Sequence, residues 1–201
     1  MRENGKTITL CMIVKDETHI IEECLRSMAK YIDRYDITDT GSTDGTPELI
    51  KKTMDELGIP GQVHLSDWKG FGDHANRIGS RTEAFHNAEN SGADYAWVID
   101  ADDYIEGEFE YPKKMDADGY TLLIKRGDFS WWRNQIFKLD LGWRYVGILH
   151  EYADATKKSP AMFEKIGGNY HISARTEGNR NVGITPIEKY SRDAETLLGA
   201  I

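Results

Sequence analysis

Three carboxylates stand directly after one apolar run of the sequence. The run is Tyr95–Ile99, and Asp100, Asp102 and Asp103 follow it. Carboxylates this close together repel one another unless a cation neutralises them. Mg²⁺ and Mn²⁺ prefer oxygen ligands and often bind through one or two carboxylates together with substrate phosphates. The spacing therefore indicates a site for a metal–diphosphate complex, with a solvated acidic turn as the alternative.

The chain before this motif alternates between strand and helix patterns. Apolar runs predict strands at 7–14, 36–39, 62–66 and 94–99. Apolar residues at helical spacing predict a helix over 20–31. Thr46, Pro47 and Gly58 predict the cap, the first position and the end of a second helix, and a third is predicted near 76–89. This alternation predicts an α/β fold with a mainly parallel sheet covered by helices.

Polar clusters follow three of these predicted strands. They are Lys15–Glu17, Asp39–Asp44 and Asp100–Asp103. Ligands of parallel sheets bind at the carboxyl ends of the strands, which all meet at one edge. We therefore expect the three clusters to form one site.

The second half of the chain has a different pattern. Aromatic-rich strand patterns at 119–125, 129–139 and 143–149 predict a mixed, mostly antiparallel region. Thr185–Glu188 forms a capping box with proline at the first helical position, which predicts a last helix from Pro186 to about Leu198. We expect one domain over 1–201, with halves 1–103 and 104–180 and a C-terminal helix within 181–201. No stop signal ends that helix, so we also expect the chain to be the start of a longer protein.

Composition limits the possible functions. A hydrophobic content of 39% and a charged content of 29% are typical of a soluble globular protein. No apolar run approaches the roughly 20 residues that span a bilayer, and residues 1–6 lack a signal-peptide core, so we expect no transmembrane segment and a cytoplasmic location. The net charge of −9 argues against nucleic acid as a partner. Cys11 and Cys24 fall in apolar patterns and are expected to be reduced core residues.

The order and spacing of the motifs resemble those of the family 2 glycosyltransferases of the GT-A fold. The matching segments are Leu10–Glu17, Asp39–Thr46 and Ile99–Asp103. Trp143–Glu151 also resembles the acceptor-side segment of a bacterial and viral branch of that family. The resemblance covers roughly residues 7–175.

This resemblance implies a GT-A-type, Rossmann-like nucleotide-binding sheet in 1–103 and an acceptor side in 104–180. It also implies metal-dependent, inverting transfer of a sugar from a nucleotide-sugar, with Mn²⁺ or Mg²⁺ as cofactor. The expected donor is a UDP-hexose, and the expected acceptor is a hydroxyl of a glycan or glycoconjugate.

The resemblance also assigns residues to the donor. Asp100 and its neighbour Ala101 are expected at the nucleotide ribose, Asp102 as a metal ligand, and Asp103 in support of it. Around the base and ribose we expect Val14, Glu17, Asp39 and Thr40. Many members carry an aspartate that contacts the base at the position of Thr40, and this chain departs from that pattern. The turn Gly41–Gly45 is also explicable as turn chemistry alone.

Four arginines are candidates for the diphosphate. Arg81 matches an arginine that this family places on the helix before the metal motif, and Arg77 is predicted one turn earlier on the same helical face. Both are alternatively surface residues. Arg175 and Arg180 lie in the polar segment Ser173–Arg180, which is either a loop that closes over the diphosphate or a solvated connector.

An inverting transfer needs a base that takes the proton of the acceptor hydroxyl. The resemblance assigns this role to Glu151, with Asp154 as the second candidate. His150 is expected either to ligate a metal or to line the acceptor cleft. His171 is a candidate metal ligand, with a structural strand histidine as the alternative.

Aromatic side chains are candidates for stacking against the acceptor sugar. The candidates are Trp131, Trp132, Trp143 and Tyr145. Aromatics at strand spacing are more often core residues. We therefore expect one or two of the four to line the acceptor groove.

Three other functions are considered, and two of them, a nucleotidyltransferase and a non-catalytic binding module, remain open. A nucleotidyltransferase shares such a sheet and acidic site, but normally carries a glycine-rich, lysine-bearing loop after the first strand, and Met12–Glu17 contains no glycine. A Rossmann dehydrogenase is disfavoured because its glycine motif is absent. A sugar-nucleotide-binding module without catalysis is the non-enzymatic alternative, and the presence of both the metal aspartates and Glu151 argues against it.

Overall fold

Nine strands form one mixed sheet in the computed structural model, which describes residues 4–74, 76–181, 183 and 185–198. The helices are α1 (Ile21–Met28), α2 (Thr46–Glu56), α3 (Ser80–Asn90) and α4 (Pro186–Leu198). The strands of the first half are β1 (Ile8–Val14), β2 (Arg34–Asp39), β3 (Gly61–Leu65), β4 (Tyr95–Val98) and β5 (Tyr104–Glu108). The remaining strands are β6 (Gly119–Arg126), β7 (Phe129–Lys138), β8 (Trp143–Val146), β9 (Tyr152–Ala155), β10 (Phe163–Lys165) and β11 (Asn169–Ser173).

The strand order of the large sheet is β3-β2-β1-β4-β7-β6-β11-β5, and β10 pairs with β6. The first four strands are parallel, whereas β7 runs antiparallel to both β4 and β6. β8 and β9 form a separate antiparallel pair. The predicted α/β class is therefore confirmed, with a parallel half followed by a mixed half.

The core lies between this sheet and the helices that cover it. Leu10 and Met12 of β1 are buried with Leu25 of α1 in the main apolar cluster, together with Trp97 of β4. Central parallel strands are covered on both faces, which explains why β1 is a continuous apolar run. Both cysteines are buried and free, as the sequence predicts.

Helix α3 begins later than the sequence predicts. The Ser80 N–H donates to the Gly70 carbonyl and the Arg81 N–H donates to the Phe71 carbonyl, so these bonds close a loop before the helix. A Cβ at Gly79 would overlap the backbone of Gly72, which shows how tightly this loop folds back. Arg77 therefore lies in the loop and not on a helical face with Arg81, which corrects the predicted register.

Two further element boundaries differ from the prediction. Gly45, and not Thr46, is the cap of α2, and Thr46 is the first residue of the helix. The Thr46 hydroxyl makes no capping hydrogen bond and accepts the N–H of Glu17. Strand β8 ends at Val146, and Gly147 takes a φ of 113° that turns the chain away. Glu151 therefore lies between β8 and β9 and not at the end of a long strand.

The predicted C-terminal helix is confirmed. The Thr185 N–H donates to the Glu188 carboxylate at 2.8 Å, and the Glu188 N–H donates back to the Thr185 hydroxyl at 3.3 Å. This reciprocal pair is the predicted capping box. No helix among the described residues has the length and apolar character needed to cross a membrane.

Candidate active site

The Arg81 side chain connects the parallel half of the sheet to the β8–β9 connection. It projects from the first turn of α3, and its Nη2 donates to Asp100 Oδ1 at 2.9 Å. Its Nε lies 2.9 Å from Glu151 Oε1. One guanidinium thus contacts both the aspartate predicted at the ribose and the glutamate predicted as the base.

The charges in this cluster stabilise one another. Burial disfavours the ionised form of Asp100, but Arg81 and then Arg133 outweigh it and hold the pKa of Asp100 well below its usual range. Burial also disfavours the charged form of Arg81 and by itself would lower its pKa. The negative charge of Asp100, with smaller contributions from Tyr145 and Glu151, outweighs burial and raises the pKa of Arg81 above its usual range. Asp100 is therefore ionised and Arg81 is charged.

Arg133 of β7 is a site residue that the sequence analysis does not identify. Its Nη1 lies 3.5 Å from Asp100 Oδ2, and its Nη2 lies 3.4 Å from Asp103 Oδ2. Burial and the nearby Asp100 charge raise the pKa of Asp103 to about 7, while Arg133 acts in the opposite direction. These carboxylates, Asp100, Asp102 and Asp103, form the acidic tip of the sheet. Arg81 and Arg133 approach the acidic tip from two sides and neutralise part of its negative charge.

A bulge in the sheet positions Arg133. Tyr120 of β6 pairs with Ile136 and Thr121 pairs with Asn134, so Gln135 is an extra residue without a partner. Oriented with its amide oxygen toward Arg133, buried Gln135 accepts from the Arg133 Nε and Nη2 at 2.6 Å. Its amide nitrogen then donates to the Val98 carbonyl. Bulges beside functional sites redirect side chains in this way.

The segment 173–180 covers the acidic tip. The backbone N–H groups of Glu177 and Gly178 donate to Asp102 Oδ2 at 3.1 and 3.0 Å. The next N–H, that of Asn179, donates to both carboxylate oxygens of Glu17. Successive N–H groups of this kind form an anion-binding concavity, which here holds two carboxylates of the protein itself.

Arg175 fixes this segment to the acidic tip. Its Nε donates to the Asp102 carbonyl at 2.7 Å, and its Nη1 donates to Glu23 Oε2 at the same distance. Its guanidinium also lies 4.6 Å from the centre of the Tyr104 ring. Arg175 is therefore bound to its own chain, and a direct role at the diphosphate stays a prediction.

Asp39 has one carboxylate oxygen without a partner among the described residues. Its Oδ1 accepts the N–H groups of Gly41 and Ser42 at 3.0 Å, whereas its buried Oδ2 accepts no hydrogen bond. Unpaired buried oxygens are rare, and each calls for an explanation such as a bound water, an ion or a functional role. Thr40 is different, because both its N–H and its hydroxyl donate to the Val14 carbonyl.

A cavity of about 370 Å³ opens beside Arg81. It is lined by Arg81, Val98, Asp100, Trp132, Arg133, Asn134, Gln135, Phe137, Tyr145, Glu151 and Tyr152. A second cavity of about 260 Å³ contains His150 and Arg180, and Glu151 lines both. Glu151 therefore stands at the junction of two spaces.

The four candidate aromatics have different environments. Trp143 is 1% exposed and packs in the core against Phe85 and Phe137, so it is removed from the acceptor candidates. Trp131 is partly buried against the main core. Trp132, at 38% exposed, and Tyr145 line the cavity. Tyr152, which the sequence analysis does not identify, lines the same cavity with 62% exposure.

Other predicted residues lie in separate contacts. Asp154 pairs with Arg144 at 3.1 Å and does not line the cavity beside Arg81. His171 Nε2 lies 3.7 Å from Glu106 Oε2, its partner across β5. Arg180 pairs with Asp193 of α4 at 3.1 Å. These contacts explain the side-chain positions without any ligand.

The acidic tip fits a hard divalent cation in its chemistry. Carboxylates of Asp102 and Asp103 supply oxygen donors, and Asp102 Oδ1 accepts no hydrogen bond within the described part of the chain. Among the described residues, no three histidine, cysteine or acidic side chains are already gathered into a metal cluster. A cation would therefore need ligands from the substrate or water as well.

A sequence profile described as Glycosyl transferase family 2 matches residues 9–121, which contain all of β1 except Ile8, the acidic tip and Arg81. The chain belongs to this family. The match covers most of the parallel half of the sheet and the motifs within 10–17, 39–46 and 99–103, so the predicted membership of family 2 is confirmed. Trp143–Glu151 lies outside the matched residues, and its resemblance to one branch of the family stays a prediction.

Several known proteins are similar to this family 2 chain. A TPR repeat-containing protein of Synechococcus elongatus is 31% identical over 121 residues, which are 58% of this chain and 27% of that protein. The crystal structure of S. aureus TarS matches with 15% identity and a TM-score of 0.49, over 67% of this chain and 29% of that one. M. tuberculosis glucosyl-3-phosphoglycerate synthase, in complex with Mn²⁺, UDP and glucosyl-3-phosphoglycerate, matches with 18% identity and a TM-score of 0.31, over 48% and 34%. The chain thus spans roughly a quarter to a third of the length of these proteins.

Proposed function

We propose that this chain is a metal-dependent, inverting glycosyltransferase domain that moves a hexose from a UDP-sugar to a hydroxyl of a glycan or glycoconjugate. The observation that carries the proposal is the contact of Arg81 with both Asp100 and Glu151 beside an open cavity. In a chain of glycosyl transferase family 2, this contact joins a donor-side carboxylate to a candidate base.

The donor binds, in this proposal, at the carboxyl ends of β1, β2 and β4. The unpaired Oδ2 of Asp39 supports this, because it would accept a hydrogen bond from the ribose or the base. Val14 is the last residue of β1, and its carbonyl already accepts the Thr40 hydroxyl. Asp100, held ionised by Arg81, would accept from a ribose hydroxyl.

Asp102 and Asp103 would hold the cation. When bound, a divalent cation neutralises the departing diphosphate and acts as a Lewis acid. Arg81 and Arg133 supply further positive charge in the same region, which favours the charge that develops on the leaving group.

Glu151 would act on the acceptor. Its carboxylate accepts the proton of the acceptor hydroxyl while that oxygen attacks the anomeric carbon from the side opposite the diphosphate. The bond between the anomeric carbon and the diphosphate oxygen breaks, and its electron pair leaves with the diphosphate. A single displacement of this kind inverts the anomeric configuration.

The acceptor would enter the cavity beside Arg81. Trp132, Tyr145 and Tyr152 line it and offer aromatic faces, on which sugar rings stack. Asn134 and Gln135 add polar groups to the same lining. This combination of apolar faces and a few polar groups is typical of small-ligand sites and supports a carbohydrate acceptor.

The donor is tested by thermal denaturation with UDP-, GDP-, dTDP- and CMP-sugars, each with and without Mn²⁺. We expect the largest stabilisation from a UDP-hexose with Mn²⁺, since a ligand that binds only the folded state raises the melting temperature. If only the guanine nucleotide-sugar stabilises the protein, and the uracil, thymine and cytosine ones do not, the donor assignment is wrong. Donor hydrolysis and transfer to sugars, followed by mass spectrometry, distinguish an enzyme from a binding module without catalysis.

A further inference from the structure

We propose that Arg133 is the built-in counter-cation of the acidic tip, and that a divalent cation must compete with it for the carboxylate of Asp103. The inference rests on the metal dependence proposed above and concerns how metal binding is controlled. It assigns Arg133 a positioning and regulatory role that no sequence motif indicates.

The position of Asp103 requires a positive charge nearby. Its side chain is 4% exposed, and it follows Asp102 and lies close to Asp100 along the chain. Arg133 spans Asp100 and Asp103 with its two terminal nitrogens, at 3.5 and 3.4 Å. A buried carboxylate in acidic surroundings is costly to ionise unless a cation approaches it. Among the described residues, Arg133 is the side chain whose single guanidinium contacts both Asp100 Oδ2 and Asp103 Oδ2.

The two arginines of the tip are held differently. Arg81 is 18% exposed and lies 2.9 Å from each of its two carboxylate partners, with a hydrogen bond to Asp100 and an ion pair with Glu151. Arg133 is 39% exposed, and its ion pairs are longer. Both arginines line the open cavity, so the difference lies in their exposure and in the lengths of their ion pairs. Of the two, Arg133 is the one that a metal can displace.

Gln135 determines where Arg133 rests. The extra residue in β7 places the Gln135 amide against the Arg133 Nε and Nη2, while the other end of the amide is bound to β4. The guanidinium is therefore aimed at the acidic tip before any ligand is present. A cation that takes Asp103 replaces an existing ion pair and does not enter an empty site.

This competition makes metal binding depend on the donor. A metal alone gains the carboxylates but displaces Arg133, so its affinity is low. A diphosphate adds oxygen ligands for the metal and a new negative charge for Arg133, so the two bind best together. Free metal therefore binds weakly until the nucleotide-sugar arrives.

The test measures Mn²⁺ affinity without nucleotide, by electron paramagnetic resonance of free Mn²⁺ and by calorimetry. We expect Arg133→Gln to tighten Mn²⁺ binding by about tenfold or more, which corresponds to about 1.4 kcal/mol. Arg133→Lys keeps the charge but cannot span two carboxylates, and we expect a smaller tightening. Arg26→Gln removes the same charge from the exposed face of α1, where Arg26 pairs with Glu22 and Glu56, and should leave the affinity unchanged.

A second readout is the melting temperature of the metal-free protein. We expect Arg133→Gln to lower it, because the tip loses a counter-charge, and we expect Mn²⁺ to restore it more strongly than in the unmodified protein. If Arg133→Gln does not fold, the comparison is made with Arg133→Lys. A Mn²⁺ affinity that is unchanged or weaker in both variants overturns the inference.

The outcomes also separate this inference from the proposed function. In one outcome the unmodified protein binds Mn²⁺ only when UDP is present, and both Arg133 variants have the same Mn²⁺ affinity as the unmodified protein. This outcome overturns the competition and leaves the metal-dependent function standing. Absence of Mn²⁺ binding in every protein, with UDP present, overturns both.

Discussion

Arg81 and Glu151 form a nearly buried ion pair, with 2.9 Å between Nε and Oε1 and side-chain exposures of 18% and 14%. The two residues come from α3 and from the connection between β8 and β9. The pair therefore joins the parallel half of the fold to the β8–β9 pair. Since Arg81 also binds Asp100, a substitution at Arg81 affects the contacts of both Asp100 and Glu151.

Arg81→Ala should destabilise the fold, because it leaves the Asp100 and Glu151 carboxylates without their shared partner. Breaking a buried pair costs roughly 3–5 kcal/mol, and we expect roughly 2–3 kcal/mol here because the Asp100 side chain is partly exposed. Urea denaturation at pH 7 measures the loss. Arg81→Lys is the matched control, since it keeps the charge and should lose less; a loss below about 1 kcal/mol for Arg81→Ala would contradict the predicted coupling.

Glu151→Gln should reduce transfer by roughly 10²–10⁴-fold, the usual contribution of a general base. UDP and Mn²⁺ affinity should change little, because the amide keeps the shape of the side chain. Asp154→Asn is the control and should transfer normally, since Asp154 pairs with Arg144 outside the cavity beside Arg81. Normal transfer by Glu151→Gln with an inactive Asp154→Asn would move the role to Asp154. Proton NMR of the product gives the anomer, and retention would exclude a single displacement.

Asp102→Asn should abolish the extra stabilisation that Mn²⁺ gives in the presence of a UDP-sugar. Metal-linked nucleotide affinity should fall by on the order of tenfold or more, since the amide removes one charged oxygen ligand. Calorimetry with and without Mn²⁺ measures this. Asp55→Asn on the exposed face of α2 is the control. Unchanged metal-dependent binding in Asp102→Asn would remove Asp102 from the site.

Gly178→Ala should loosen the segment over the acidic tip. A Cβ at Gly178 would lie 3.3 Å from Asp102 Cγ and from Glu17 Oε1, which is tight, so these two carboxylates must move away slightly from the segment. We expect faster hydrogen exchange at the N–H groups of 177–179 than in the unmodified protein. Gly167→Ala is the control, because its Cβ would meet no atom within 4 Å. Equal exchange in both variants would show that the segment does not rest on these contacts.

Glu17 should make the metal-free protein less stable as the pH rises from about 4.5 to about 7. Burial raises the pKa of Glu17 to about 7 against a value of 4.5 in the unfolded chain, and the Asn179 N–H only partly opposes this. In that window the folded state binds more protons than the unfolded state, so the free energy of unfolding falls with increasing pH. Glu17→Gln should flatten this dependence and be the more stable protein at pH 8. Chemical denaturation of both proteins in EDTA at pH 4.5, 6 and 8 measures it, and identical slopes would contradict it.

Much of the fold was readable from local patterns. The continuous apolar run of β1, the carboxylates after β4 and the capping box of α4 each depend on neighbouring residues, and all three are present as predicted. Errors arose where distant contacts override a local signal. Thr46 reads as a helix cap, yet its hydroxyl is used by Glu17. Trp143 reads as a possible acceptor contact, yet it packs in the core.

The sequence alone determined that polar residues follow several parallel strands, because strand period and chain order bring those ends to one edge. Only the tertiary structure decided which charges meet there. The pairs Arg81–Glu151 and Arg133–Asp103 join elements far apart in the chain, and the bulge at Gln135 redirects a strand that reads as ordinary. Ion pairing acts over a few ångströms of space and is indifferent to sequence separation, so no local pattern specifies it.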